Sequence, residues 1–562
     1  MILLLSGKIL RDSNRSEEPS ALACELTEGN LISNLILSDN SELFKTKAYW
    51  NIIQTSLKLT TMPINTPMNR RKFAKTTILA TAATALIPGM FTSCSKVPNP
   101  MKRVFGKLGF EVTTMGLGGQ SSIQWTPEGI DPVKIILKAF DLGINYFDTS
   151  NLYGPSQGYY GQAFRIKNLV PGQENYNEKL RKSIFLTTKT HLRFAKGNAN
   201  VEGVNNWTNG EQGTHTIDDL KRSLTFMFGD GQGNYPEGAY VDMVLMHSVS
   251  TRQEVDAMYE GLENTDAGAE RIGALAALRD YRDGTNQTGL NPNNEKLLRH
   301  IGFSGHWDPS VMMYMIQRDR SNLLDAMLVA INANDKLMFN MQYNVIPLAT
   351  AKNMGIIAMK VFADGAMYTK PAEWSGKPEH VVRTVGSEAL SSRKLIKYSL
   401  TTPGVHLAII GIGQISDDNE KCQLTDNLIA SQIGADGLNY DERIAIEEMA
   451  GKVKAGRTNY FQTDARPLTA PDQVSASRTL GGDTQNITLT WNTAYAGDAP
   501  LKMYEIWRDG NKVFETPFTP QLTTDPFSWQ ETVGDNSAHT YIVKVVDGKG
   551  RVAESVAVVL EG

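Results

Sequence analysis

The segment Ile144-Asn145-Tyr146-Phe147-Asp148-Thr149-Ser150-Asn151-Leu152-Tyr153-Gly154 passes from a short β-type run into a polar turn. It follows the amphipathic stretch Pro132–Leu142, so it reads as the strand of a helix–strand unit. The pattern recurs along the chain. Apolar runs of this kind span Val112–Gly118, Ile144–Thr149, Ile184–Thr188, Val241–Met246, His300–Ser304, Met327–Asn332, Ile356–Val361 and Leu407–Gly411. Helical segments lie between them, such as Ile217–Met227, with Thr216 as the expected N-cap. Strands separated by helices predict a parallel sheet buried on both faces, and eight units predict a closed (β/α)8 TIM barrel. An open doubly wound sheet would carry GxGxxG after its first strand, and Gly116-Leu117-Gly118-Gly119-Gln120 is not that pattern.

The ends of these runs hold the chemistry. Asp148 and Tyr153 follow the second run, Lys189 ends the third and His247 the fourth. Polar residues at the C-terminal strand ends of a barrel mark its catalytic face. A free phenol titrates near ~10, so Tyr153 alone is a poor proton donor or acceptor. The Lys189 ammonium is expected to lower that value, Asp148 to hold Lys189 charged, and His247 to bond a substrate oxygen. No activated nucleophile is apparent, and no metal site is expected, since His191, His247 and His306 share no ligand spacing.

This set resembles the aldo-keto reductase family, over a stretch from about Arg103 to about Gln432. The Asp-x4-Tyr motif is matched by Asp148 and Tyr153, the lysine motif by Thr187-Thr188-Lys189-Thr190, and the histidine motif by Asp242-Met243-Val244-Leu245-Met246-His247. The resemblance implies a carbonyl oxidoreductase with Tyr153 as general acid and hydride supplied by NADP(H), with NAD(H) as the alternative. The implied cofactor contacts are Gly118, Ser304 in Gly302-Phe303-Ser304-Gly305, Asn332, Lys360, the turn Gly411–Gly413, Lys421, Asp426 and Asn427. Gly305 replaces the family's Asn, Gln342 is an alternative to Asn332, and Met359-Lys360 stands where many members place a stacking Tyr. Trp125 is expected near the site.

Composition bounds the rest. The 562 residues carry 56 Lys+Arg against 60 Asp+Glu, with 41% hydrophobic and 21% charged residues. That is ordinary for folded protein, and the lack of basic excess argues against nucleic-acid binding. Cys24, Cys94 and Cys422 lie too far apart for a disulfide framework or a cysteine zinc site. Asn69-Arg70-Arg71-Lys72-Phe73-Ala74-Lys75 precedes an apolar run from Thr76 to Phe91, then Thr92-Ser93-Cys94-Ser95. That order reads as an export signal, similar to the twin-arginine type, with Cys94 as a lipidation site. The expectation is therefore an exported bacterial protein, periplasmic or cell-envelope, lipid-anchored, with translation starting at Met68 and residues 1–67 an upstream misassignment.

The expected layout is a signal over 68–94, a barrel over 101–462 and a smaller unit over 467–562. In the last, period-two alternation takes over at Ile487–Trp491, Tyr504–Trp507, Tyr541–Val546 and Ala553–Val559. This predicts an all-β sandwich. Trp491 and Tyr504–Gly510 resemble a fibronectin type III domain, which implies spacing, or contact with a protein or glycan. An insertion at Gly197–His215, carrying Trp207, follows the third strand and is expected to shape the substrate site. The substrate expected is a small carbonyl or alcohol, carbohydrate-derived given the extracytoplasmic setting. The alternative function is a cell-surface binding protein that reuses the barrel without turnover.

Overall fold

The computed structural model describes residues 97–561, apart from 384, 412–413 and 482–483. The expected signal, Cys94 and Gly413 lie outside the described residues. Eight strands close into a barrel in sequential order: β1 Met115–Gly118, β2 Tyr146–Asp148, β3 Phe185–Thr190, β4 Val241–Met246, β5 Leu298–Gly305, β6 Leu324–Ala330, β7 Gly355–Met359 and β8 Leu407–Ile410. Every neighbouring pair is parallel, and β8 returns to β1 through Ala408 opposite Met115. Helices follow the strands. Pro132–Asp141 is capped by Asp131, whose carboxylate accepts from the Val133 amide at 2.9 Å.

The first expected run, Val112–Gly118, is two strands rather than one. Glu111–Thr113 pairs antiparallel with Lys102–Val104, and the barrel strand begins at Met115. This hairpin closes the N-terminal end of the barrel. Phe105, fully buried, meets Tyr146 and Phe185 edge-on at 6.0 and 5.5 Å between ring centres. Burial of one such ring contributes roughly 1.5–3 kcal/mol. The interior above it is filled by Met243, Leu245, Leu328, Ile357 and Met359, so the barrel is a packed core rather than a pore. A second apolar layer lies between the strands and the outer helices.

Thr216 does not cap its helix. The helix Thr216–Phe228 takes His215 as N-cap, and the Thr216 hydroxyl instead reaches the Leu192 and Phe194 carbonyl oxygens, each at 2.9 Å. It ties the helix to the segment after β3.

Beyond the barrel the strands are antiparallel: β9 Asp472–Gly481, β10 Thr484–Asn492, β11 Leu501–Arg508, β12 Asn511–Pro517, β13 Phe527–Val533, β14 His539–Asp547, β15 Val552–Glu554 and β16 Val558–Leu560. They form one sheet in the order β9-β10-β13 and another in the order β12-β11-β14-β15, with β16 also on β14. Ile487, Trp491, Tyr504, Tyr541 and Val543 are buried together in this unit's core. The expected run Ala553–Val559 is divided into β15 and β16. This β unit is fastened to the barrel. Asn344 exchanges two hydrogen bonds with the Ala496 backbone, at 2.9 and 3.1 Å, and Asn340 Nδ2 donates to the Gly497 carbonyl at 2.6 Å. No helix among the described residues is long and apolar enough to cross a membrane.

Candidate active site

The C-terminal ends of the barrel strands surround a cavity of about 490 Å³, within the range of small-molecule sites. Asp148, Tyr153, Lys189 and His247 all line it. Asp148 ends β2, Lys189 sits near the end of β3, and His247 follows β4, held by its amide donating to the Thr190 carbonyl at 2.8 Å. Gly119 permits this crowding, because a Cβ there would lie 2.3 Å from the Asp148 carbonyl oxygen.

Lys189 Nζ donates to Asp148 Oδ1 at 2.5 Å and to the Thr149 carbonyl at 2.9 Å. The same ammonium stands 4.7 Å from the centre of the Tyr153 ring. Tyr153 meets the His247 ring edge-on at 5.7 Å, and Ser150 Oγ lies 3.3 Å from His247 Nδ1. The four expected groups are thus one cluster.

The electrostatics differ from expectation in one respect. The Tyr153 phenol is pushed well above its usual range, by burial first and by the Asp148 charge second. The Lys189 ammonium beside the ring is itself paired with Asp148. Burial lowers Lys189 while Asp148 opposes that shift. Burial, then the Lys189 charge, holds His247 well below its usual value. The cluster therefore offers a phenol that keeps its proton and a neutral imidazole at neutral pH, beside the hydrogen-bonded Lys189–Asp148 pair.

The expected cofactor contacts separate into groups. Gly118, Ser304, Lys360 and Gly411 line the cavity. Ser304 Oγ accepts from the Ser248 amide at 2.9 Å, and Ser248 takes a left-handed φ of 53° to deliver it. Asn332 does not line the cavity. β6 ends at Ala330, so Asn332 turns into the loop, where its amide donates to the Lys360 carbonyl and its oxygen accepts from the Asn334 amide, both at 2.9 Å. Gln342 is buried elsewhere, donating to Tyr398 Oη at 3.1 Å. Lys421 is exposed and paired with Asp418 at 2.9 Å. Asp426 is paired with Arg393, whose Nε donates to it at 2.9 Å. Asn427 is fully buried, and neither its amide nitrogen nor its oxygen has a partner. A buried amide with both ends unpaired is costly, and it fits a polar ligand that completes it. Trp125 is not among the lining residues, and its carbonyl accepts from Arg383, next to the lining residue Val382, at 2.8 Å.

Trp307 and Trp374 are cavity residues that carried no signal in the sequence. Trp207, from the expected insertion, does reach the site: it stacks on His191 with ring centres 4.5 Å apart and stays 59% exposed. His306, Trp307, Trp374 and Lys360 also line the cavity, backed by Phe461 from the segment after the last barrel helix. Below His191 and His247, the buried Arg193 pairs with Glu254 at 3.1 Å.

A family model described as "Aldo/keto reductase family" matches residues 114–408, just over half of the chain. Among curated proteins none matches. Similar solved structures include a putative aldo-keto reductase from Pseudomonas aeruginosa, 21% identical, covering 59% of this chain and 95% of its own, with a TM-score of 0.36. An aldo/keto reductase from Klebsiella pneumoniae, solved with NADP and acetate, is 17% identical, covering 62% and 95%, with a TM-score of 0.37. A Bombyx mori aldo-keto reductase, solved with NADP, is 14% identical, covering 63% and 93%, with a TM-score of 0.38.

Proposed function

The chain belongs to the aldo/keto reductase family, and from that footing we propose that it interconverts the carbonyl and alcohol forms of a small molecule with NADP(H), using Tyr153 as proton donor and acceptor. Family membership makes it an oxidoreductase of the carbonyl-reducing kind. The observation that carries the finer reading is the convergence of Asp148, Tyr153, Lys189 and His247 in one cavity.

A nicotinamide dinucleotide, when bound, would supply hydride chemistry at the carbonyl carbon. The chain's own residues manage the oxygen. The neutral His247 imidazole donates a hydrogen bond to it and orients the carbonyl. Tyr153 passes its phenolic proton to the same oxygen as the carbon is reduced, and Lys189 stands by the ring to stabilise the phenolate left behind. Asp148 keeps Lys189 charged in a buried setting. In the reverse direction the Tyr153 phenolate removes the alcohol proton. The residues that would hold the dinucleotide are Ser304, Gly118 and Gly411 at the cavity wall, with the unpaired Asn427 amide beyond it. NADP(H) rather than NAD(H) rests on the family. NADPH consumption by wild type and Tyr153→Phe across a panel of aldehydes and ketones tests this reading; equal rates for the two would overturn it.

The reading extends to location. Arg70-Arg71, the apolar run to Phe91 and Cys94 support export with a lipid anchor at Cys94, from a start at Met68. Cys94→Ala should move the protein from the membrane to the soluble fraction. We also read β9–β16 as fibronectin type III-like. Its bonds to the barrel support a module held at a set position, available for contact with a protein or glycan.

A further inference from the structure

At Asp364, which lines the same cavity, two ammonium groups share one carboxylate. Lys370 Nζ donates to Asp364 Oδ2 at 2.7 Å, and its remaining protons go to Ser375 Oγ and the Glu373 carbonyl. Asp364 Oδ2 also accepts from Tyr460 Oη at 2.9 Å. Lys360 Nζ lies 3.9 Å from Asp364 Oδ1, beyond hydrogen-bond distance. Among the described residues no other carboxylate comes within ion-pair distance of either lysine. The Lys360, Lys370 and Asp364 side chains are 10%, 3% and 8% exposed. One positive charge is therefore buried in excess, and a buried charge without a partner is costly.

The excess sits on Lys360. Its ammonium lines the cavity and stands 4.6 Å over the Trp374 ring and 5.9 Å from the Phe461 ring centre. Aromatic faces stabilise a cation without using its protons, so the Nζ protons remain for a ligand. Lys360 holds this pose at a left-handed φ of 58°, which a lysine adopts only when its surroundings impose it. His306 and Trp307 flank the same wall.

We propose that Lys360 receives the carboxylate of the substrate, so that the molecule turned over is a carbonyl compound that also carries an acid group. This rests on the carbonyl-reductase reading above and narrows it. The surroundings favour a monoanion on an apolar body. A diphosphate calls for several cations or clustered backbone N–H groups, whereas Lys360 is one ammonium among ring faces. The Asp364 carboxylate beside it would repel a dianion more strongly than a monoanion.

Two measurements separate this inference from the one beneath it. The first needs no turnover: benzoate is titrated against the protein's tryptophan fluorescence, with benzamide as the neutral control, in wild type and Lys360→Met. Wild type should bind benzoate about 10- to 100-fold more tightly than benzamide, and the variant should lose that difference. Equal binding of the two by wild type, or a preference that survives in Lys360→Met, overturns the proposal. The second compares kcat/KM for 4-carboxybenzaldehyde and its amide, alongside NADPH affinity. The wild-type preference for the acid should collapse in the variant. A loss of NADPH affinity with the acid preference retained would assign Lys360 to the cofactor instead. Benzoate selectivity in a wild type that reduces neither aldehyde would leave the anion site standing and remove the reductase reading.

Discussion

Arg193 donates to the backbone carbonyl of His247 at 2.8 Å. A fully buried guanidinium from the segment after β3 thereby fixes the chain that carries the His247 imidazole at the end of β4. Glu254 completes the arrangement: it pairs with Arg193 at 3.1 Å, accepts from the Ser250 amide at 2.9 Å and from Asn205 at 2.9 Å. Both partners of the pair have fully buried side chains.

Removing one member of such a pair leaves an unmatched buried charge, which costs about 3–5 kcal/mol. Glu254→Leu should therefore shift the barrel's denaturation midpoint sharply downward. It should also lower kcat for carbonyl reduction more than it raises KM, because His247 loses its anchor while the cavity wall stays in place. A variant with wild-type stability and kcat would show that the pair does neither.

Tyr153→Phe should lower carbonyl reduction about 10²- to 10⁴-fold, the usual contribution of a positioned proton donor. The pH profile carries the sign. Burial and Asp148 hold the Tyr153 phenol well above its usual range, so the proton-bearing form persists through neutral and mildly alkaline pH. Reduction rates should stay flat there, while alcohol oxidation, which needs the phenolate, should rise with pH. Steady-state rates in both directions check this, and a reduction rate that falls between neutral and mildly alkaline pH would place the titrating group elsewhere.

The same residues show how far the sequence could be read. Asp148, Tyr153, Lys189 and His247 each sit at or just past a strand end, so their convergence follows from the barrel, and the alternation of runs and helices predicts the barrel. Lys360 was legible as a strand-end residue, but its partners were not. Asp364, Trp374 and Phe461 reach it through loops whose course depends on tertiary packing. Asn332 shows the opposite failure. A strand that stops two residues earlier than its apolar pattern suggests turns the side chain away from the cavity and into backbone bonds. The hairpin under the barrel was hidden because Val112–Gly118 reads as one β-type run through Thr113 and Thr114, and period alone cannot mark a change of sheet.

The cavity histidines make stability depend on pH. Burial lowers His191 to about 2 and His306 to about 3, and it also holds His247 well below its usual range. The unfolded chain takes up protons at these residues near pH ~6.5, and the folded chain does not. Stability from them is thus complete above that pH and is lost as pH falls toward the folded values. Each contributes about 1.4 kcal/mol per pH unit across the window. Denaturation at pH ~7 and ~5.5 should show the drop, and His306→Gln should reduce its slope. An unchanged slope would mean that His306 protonates in the folded protein.

Asn427 separates stability from binding. Its buried amide has no partner at either end, which destabilises the unliganded fold by about 1–3 kcal/mol for each unmet group. Asn427→Leu removes that cost in a similar volume, so the unliganded protein should be as stable as wild type or more so. If the amide awaits the dinucleotide, the same change should weaken NADPH binding about tenfold or more, since a polar ligand group would then face an apolar side chain. The two readouts move in opposite directions only if the amide is a ligand contact. A variant that loses stability and keeps its NADPH affinity would make Asn427 a structural residue of the helix Gln423–Ala430.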